Sequence, residues 1–196
     1  MRAIIKFVLV FVLILCLGGC GKKQATDTTL ITNAPTINNT QGDTSMEHIW
    51  SLTDTNDFVI AMKEHLDEKS QYGENMSVLS EAERIFYITQ TLEMEVNNGG
   101  FSQFFFNSSG NFSNELVSAF SSIGANTTAA ICQKAIAVFG RDIPVDRGDR
   151  QDMLAELESD EIDELLRECD DAFYAYEDDL NELNYNYVIK NKASFT

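Results

Sequence analysis

The sequence predicts an all-α fold, a compact bundle of about six or seven helices behind a signal segment and a tether. Three observations predict it. From Thr55 onward apolar residues recur every three or four positions instead of alternating. Ser80-Glu81-Ala82-Glu83 is a capping box, in which serine and glutamate satisfy each other's backbone amides at a helix start. No alternating stretch of useful strand length and no internal repeat breaks the pattern.

The first segment, residues 1–19, begins with Arg2 and Lys6 and continues in an apolar run from Phe7 to Leu17. Gly18 and Gly19 follow, then Cys20. That is the layout of an export signal, and its apolar run falls short of the ~20 residues a membrane-spanning helix needs. The Leu17-Gly18-Gly19-Cys20 ending resembles the bacterial lipobox. The resemblance implies cleavage before Cys20 and acylation of its sulfur, which would hold the chain on the exported side of a cell membrane. Residues 20–53, rich in Thr, Asn, Gln, Asp and Ser, read as a flexible polar tether, leaving residues 54–196 as one folded domain.

Within that domain Phe58, Val59, Met62 and Leu66 share a face behind an Asp54/Thr55 start. The helix opened by the capping box buries Ile85, Ile88, Leu92 and Val96, with Gly99 as its left-handed stop. Gly99-Gly100 can turn the chain sharply. Phe101, Phe104 and Phe105 then fall at helical spacing before Asn107-Ser108-Ser109-Gly110. A phosphate loop would need a preceding strand, and often a lysine, to give its glycines meaning, and this stretch has neither. It reads as a core corner, with Asn98, Gln103 and Asn107 tying off helix ends. Leu116, Val117, Phe120 and Ile123 mark a helix closed by Gly124. Ile131, Cys132, Ala135, Ile136 and Phe139 mark another, capped by Thr127 or Thr128 and closed by Gly140. Met153, Leu154 and Leu157 follow a loop around Pro144.

The last third carries a heptad stripe of Ile162, Leu166, Cys169, Phe173, Tyr176, Leu180, Leu183 and Tyr187, in a long helix or two nearly collinear ones. This seam could pack internally or pair two subunits. Around it, thirteen carboxylates between Glu156 and Glu182 face one opposing charge, Arg167. As one helix, that is a carboxylate per ~3.1 Å, close to the ~3.4 Å between phosphates along a DNA strand. Glu156, Asp160, Asp163, Glu164, Asp170, Asp171, Asp178 and Asp179 are the candidate partner-binding face. With 31 acidic against 14 basic residues, the net charge is −17, and loss of Arg2 and Lys6 with the signal makes it −19. Such a chain is repelled by nucleic acid, so a direct nucleic-acid ligand is excluded and a basic protein partner is expected.

Chemistry has little footing. His48 lies in or beside the tether, and His65 follows an apolar stripe. No Ser/His/Asp order, His-Glu-x-x-His, Cys-x-x-Cys or calcium-loop pattern occurs, so no catalytic, metal or cofactor role is assigned. Cys132 and Cys169 fall at apolar helix positions and read as two separate buried thiols, although an oxidising exterior leaves a bridge open.

Asn98-Gly99-Gly100-Phe101, Gln103-Phe104-Phe105, Asn107 and Gly110, then Ala119 to Gly124, resemble the C-terminal domain of the DNA mimic protein family. The tail Asp170-Asp171-Ala172-Phe173-Tyr174, with Asp178-Asp179-Leu180 and Tyr187, is similar to that family's closing helix. The resemblance covers about residues 55–192. It implies an all-α fold, no known catalytic activity and, in the founding member, an acidic surface that occupies the DNA site of a transcription factor. A lipobox would instead place this domain across a membrane from transcription factors. The reading is therefore a membrane-anchored, non-catalytic acidic module that docks a basic partner. Cytoplasmic DNA mimicry is the alternative, and an enzyme the least supported.

Overall fold

The computed structural model describes residues 44–196; the signal segment, Cys20 and the tether up to residue 43 lie outside them. The described residues form eight α-helices and no strand. The expected tether does not reach residue 53. Ser45 caps α1 (Met46–Ser51), whose Ile49 is fully buried, and Trp50 packs on Phe58 at 5.5 Å between rings. The apolar pair Ile49-Trp50, in an otherwise polar stretch, gives this short helix something to bury.

α2 (Thr55–Lys69) starts where Asp54 accepts the Asp57 amide, and buries Phe58, Val59, Met62 and Leu66. α3 (Glu81–Phe106) starts at the capping box, with both reciprocal bonds formed. Its stripe of Ile88, Leu92 and Val96 is buried together with Phe86, while Ile85 is only half-buried. α3 is the central element: α2, α4 (Leu116–Ile123), α6 (Arg147–Leu157), α7 (Asp160–Tyr174) and α8 (Leu180–Lys190) all pack against it. α5 (Asn126–Ala137) bridges α4 and α7.

α3 is broken at its two glycines. Gly99 has φ −165°, a value open to any residue, and it is Gly100 that takes the left-handed φ of 76°. The left-handed stop therefore sits one residue later than the sequence suggests. The kink swings Phe101, Phe104 and Phe105 into the core, where all three are fully buried and Phe101 meets Phe173 edge-on at 6.1 Å. Core corner is the correct reading of this stretch.

The C-terminal stripe also bends. It runs through α7, stops at residues 175–179, where Tyr176 has φ 46°, and resumes in α8. α7 packs on α3 and α5, whereas α8 packs on α2, α3 and α4. Leu166, Cys169, Phe173 and Leu180 are buried, and Ile162, Leu183 and Tyr187 pack at the core's edge. Tyr176 leaves the stripe and reaches Asn97 and Glu93 through its hydroxyl. The seam is internal, so it offers no surface for a second subunit. α5 begins at Asn126, with neither Thr127 nor Thr128 as its cap residue. The Thr128 amide and hydroxyl instead both donate to Asp178 from the α7–α8 turn, at 2.7 and 2.9 Å.

Cys132 and Cys169 are separate buried thiols. Burial pushes both up from the ordinary thiol range, so neither ionises near neutrality.

Two glycine substitutions separate backbone strain from packing. Gly140 also has a positive φ, 62°, but a Cβ there meets nothing within 4 Å, whereas at Gly100 it would run into the Asp170 carboxylate. Gly140→Ala should cost about 1 kcal/mol, and Gly100→Ala distinctly more, about 2–4 kcal/mol, read as denaturant midpoints. Equal costs would show that Asp170 yields freely. In the native protein a thiol reagent should label neither Cys132 nor Cys169, and after denaturation both.

Candidate functional site

The motif residues close around two buried charges. Glu95 lies on the buried side of α3, three residues after Leu92, and is 8% exposed. Its carboxylate accepts from Gln103 Nε2 at 2.7 Å, Asn107 Nδ2 at 3.0 Å and Ser109 Oγ at 2.5 Å. A buried anion needs its lone pairs filled, and here neutral donors from beyond the kink fill them. Gln103 and Asn107 thus hold a buried carboxylate, a role the sequence reading gave to helix ends. Asn98 is exposed at the end of the first arm of α3.

Arg150 on α6 is the counterpart, and it is fully buried. Its Nε donates to the Phe105 carbonyl at 2.6 Å, and Nη1 to the carbonyls of Pro144 and Val145, both at 2.9 Å. Nη2 donates to the Asn107 carbonyl at 2.7 Å and to Asn111 Oδ1 at 3.0 Å. Burial lowers its pKa, yet guanidinium remains charged at any ordinary pH. Gly110 is required because a Cβ there would stand 2.5 Å from Arg150 Nε and 2.8 Å from the Phe105 carbonyl. Gly99 faces the Gln103 side chain in the same way. Asn107 bonds both charges, one through its side chain and one through its carbonyl. The sequence reading missed Glu95 and Arg150. Glu95 carries a signal, an acid at i+3 on an apolar stripe, whereas Arg150 in the run Arg147 to Asp152 looks like surface charge.

The eight candidate face residues divide. Asp170 is half-buried and accepts the Phe101 amide at 2.7 Å, satisfying a donor freed by the kink. Asp178 caps α5, and Asp179 caps α8 through the Glu182 amide. These three belong to the fold, because each fills a backbone donor that a helix terminus leaves open. Glu156 is exposed on α6 and pairs with Arg141 at 2.7 Å. Asp160, Asp163, Glu164 and Asp171 lie exposed on α7. Glu164 pairs with Arg167 on the same helix, and the neighbouring Glu168 pairs with Lys134 of α5 at 2.7 Å. Thirteen carboxylates on one rod is therefore an overestimate, since the chain breaks before α7 and again after it. What remains is the outer side of α7: Asp160, Glu161, Asp163, Glu164, Glu168 and Asp171, all exposed, with Arg167 among them and Lys134 of α5 reaching Glu168.

His65 Nδ1 bonds the Thr44 carbonyl at 2.9 Å, and its Nε2 is enclosed without a protein partner. That geometry ties α2 to the segment before α1 and presents no base to solvent. Among the described residues no group of three or more His, Cys, Asp or Glu is arranged to hold a metal ion, and no helix is long and apolar enough to cross a membrane.

A family model described as DMP19-like protein matches residues 77–191. That span contains the kinked corner, Arg150 and all of α7. No curated protein matches the chain, and no solved structure does.

Asp170 gives this region a pH signature. Burial raises its pKa, the adjacent Asp171 adds to the rise, and the Phe101 amide opposes it. A carboxyl raised on folding binds its proton more tightly in the native state. Its stability contribution is thus fullest below the unfolded value of about 3.9 and fades as pH climbs through the raised native value. Glu93, also raised chiefly by burial, adds to the same fall. Asp170→Asn keeps an oxygen for the Phe101 amide and removes the charge. Its denaturation midpoint should fall less steeply with pH over that window than the wild type's; parallel curves would show that Asp170 titrates normally.

Proposed function

The chain belongs to the DMP19-like protein family, and from that premise we propose that it is a non-catalytic acidic module whose α7 face docks a basic partner of the DNA-binding type. The observation that carries this reading is the one-signed outer side of α7. Asp160, Glu164, Glu168 and Asp171 follow one another at four, four and three residues, about 6, 6 and 4.5 Å along the axis. Every second phosphate of a DNA strand recurs at about 6.8 Å, so a surface shaped to grip that backbone meets charges at comparable spacing. The two ion pairs on this face do not block it. Their side chains are half or more exposed, and such pairs contribute only ~0–1 kcal/mol, so an incoming arginine can replace Arg167 or Lys134.

In this reading the domain is tethered through a lipid on Cys20, on the exported side of a cell membrane, and its partner is an exported or envelope-located basic protein. Family membership favours a second reading, DNA mimicry against a cytoplasmic DNA-binding protein. The two differ in address alone. Cys20→Ser should abolish labelling by palmitate and release the protein from the membrane fraction. If the wild type is itself unlabelled and soluble in the cytosol, the second reading replaces the first.

Docking is tested with the variant Asp160→Asn/Asp163→Asn/Glu164→Gln/Asp171→Asn. These positions are exposed, so the variant should remain folded, losing about 0.3–1 kcal/mol for each charge removed from the first turn of α7. Wild-type protein should retain a basic partner from the native envelope at about 50 mM salt and release it at about 0.5 M. Duplex DNA should compete with the wild type for that partner, and the variant should not retain it. Retention indifferent to salt, or equal for the variant, rules this face out.

A further inference from the structure

A second surface lies away from the outer side of α7, where α2 and the first arm of α3 run side by side. The two helices leave an open groove of about 360 Å³ between them. On α2 its wall runs from Asn56 to Asp67, about 16 Å of helix, and on α3 from Gln90 to Asn97. Spacing produces these walls. Asn56, Ile60, Lys63 and Asp67 recur every three or four residues, as do Gln90, Met94 and Asn97, so each set forms one stripe. Val59 lies buried at the floor, while Ile60 and Met94 stand on the two shoulders, 50% and 57% exposed. An outward stripe ordinarily holds polar groups, and here each carries a large apolar side chain at its middle.

The turn between α7 and α8 closes one end. Tyr176 accepts the Asn97 side-chain amide on its hydroxyl at 2.5 Å and donates to Glu93 at 3.1 Å. Asn181, from the start of α8, bonds Asn56 across the same end at 3.1 Å. The Tyr176 residue remains 40% exposed. Ile60, Met94 and Tyr176 are thus three of the nine large apolar side chains exposed among the described residues, and they gather on one groove. Scattered singly such side chains are ordinary; assembled along a groove they mark a contact surface.

Charge decides what fits there. Glu64, Asp67 and Glu93 line the groove, and Lys63 is the one cation among the lining residues. Lys63 is already engaged, by Asp67 at 2.6 Å and over the Tyr87 ring at 4.5 Å from its centre. Glu93 is half-buried and takes its bonds from neutral donors, Gln90 Nε2 at 2.9 Å and the Tyr176 hydroxyl. No ion pair among the described residues includes it. Burial raises its pKa and the exposed Asp179 adds to the rise, an electrostatic cost that a cation beside it would offset. An anionic segment would meet three carboxylates, and a wholly polar one would leave Ile60 and Met94 in water. A strand has nothing to pair with, because both walls are helices whose backbone groups bond internally. A helix of about three turns with aliphatic residues inward and lysine or arginine at its edges satisfies both the apolar shoulders and the acids.

We propose that the α2–α3 groove seats one amphipathic helix of a basic protein partner, with an aliphatic side chain between Ile60 and Met94 and a lysine or arginine at Glu93. The inference rests on the reading that the partner is basic, and it uses none of the α7 residues. The probe is a helical peptide of about 14 residues, leucine on one face and lysine on the other, titrated into the Cys20→Ser chain and followed by amide NMR. A scrambled peptide of the same composition and a leucine–glutamate counterpart are the controls. The leucine–lysine peptide should give saturable shifts centred on Ile60, Lys63, Met94 and Asn97, half-saturating at about 100 μM or below. The scrambled peptide should bind about tenfold more weakly, and the glutamate one should not bind. Ile60→Ser and Met94→Ser, both at exposed helix positions, should each weaken binding about fivefold, and so should Glu93→Gln. The α7 variant of the previous test should bind within about twofold of wild type. Shifts centred on Glu164 and Glu168, lost in the α7 variant and kept in Ile60→Ser, overturn the groove and leave the α7 reading standing. Equal binding of the scrambled peptide, or no saturable shift by about 1 mM, overturns it as well. Groove-centred binding in a protein whose α7 face retains no partner upholds the groove and removes only the α7 reading.

Discussion

The Arg150 guanidinium organises the rest of this structure. In a chain with 31 acidic side chains the most deeply buried cation has no carboxylate partner, and five acceptors around it are four carbonyl oxygens and one amide oxygen. All five come from two separated stretches, residues 105–111 and 144–145. An isolated buried cation is prohibitive unless such dipoles surround it. Once they do, the requirement runs backwards into the sequence. Gly110 must lack a side chain, Asn107 must direct its carbonyl one way and its amide the other, and the chain must turn where Phe105 ends its run. The Asn-Gly-Gly-Phe corner is thus a socket for two charges that never meet, Glu95 and Arg150, joined through Asn107.

The corner then dictates the position of α7. Turning at Gly100 frees the Phe101 amide, which Asp170 takes, and the Phe101 ring packs against Phe173. One turn away Tyr174 donates to the Val96 carbonyl at 2.7 Å, so α7 is fastened on both sides of the kink in α3. A helix held at its inner side by Leu166, Cys169 and Phe173 has no freedom to hide its outer side. The acidic face is exposed as a consequence of how tightly the opposite face is bound.

What could be seen in the sequence was local, and what could not was remote. Asp54, the Ser80 capping box, Gly124 and the apolar stripes of α2, α3 and α4 act within four residues of themselves, so spacing reveals them. Gly100 was off by one because either glycine of a pair satisfies the same local rule. The caps on Phe101 and Thr128 come from 69 and 50 residues away, and a charge run such as Asp170-Asp171 or Asp178-Asp179 gives no sign of which member turns inward. The break at residues 175–179 was concealed for a related reason: Tyr176 keeps the heptad spacing while its backbone leaves the helix. Arg150 was invisible because burying it needs acceptors from two distant stretches.

Folding accounts for some of α7's carboxylates and not for others. Asp160, Glu161 and Asp163 stand in its first turn, where the helix dipole favours an anion by ~0.3–1 kcal/mol. Further along the sign reverses. Glu168 and Asp171 lie in the second half of a helix whose last turn has no basic residue, and Glu164, Glu168 and Asp171 are mutual neighbours at i+4 and i+3, each like pair costing ~0.2–0.5 kcal/mol. Lys134 and Arg167 offset part of that through exposed contacts. The positions where acid opposes the helix are the ones facing outward on its middle and end, which is where cations from a partner would relieve repulsion that the fold itself leaves in place.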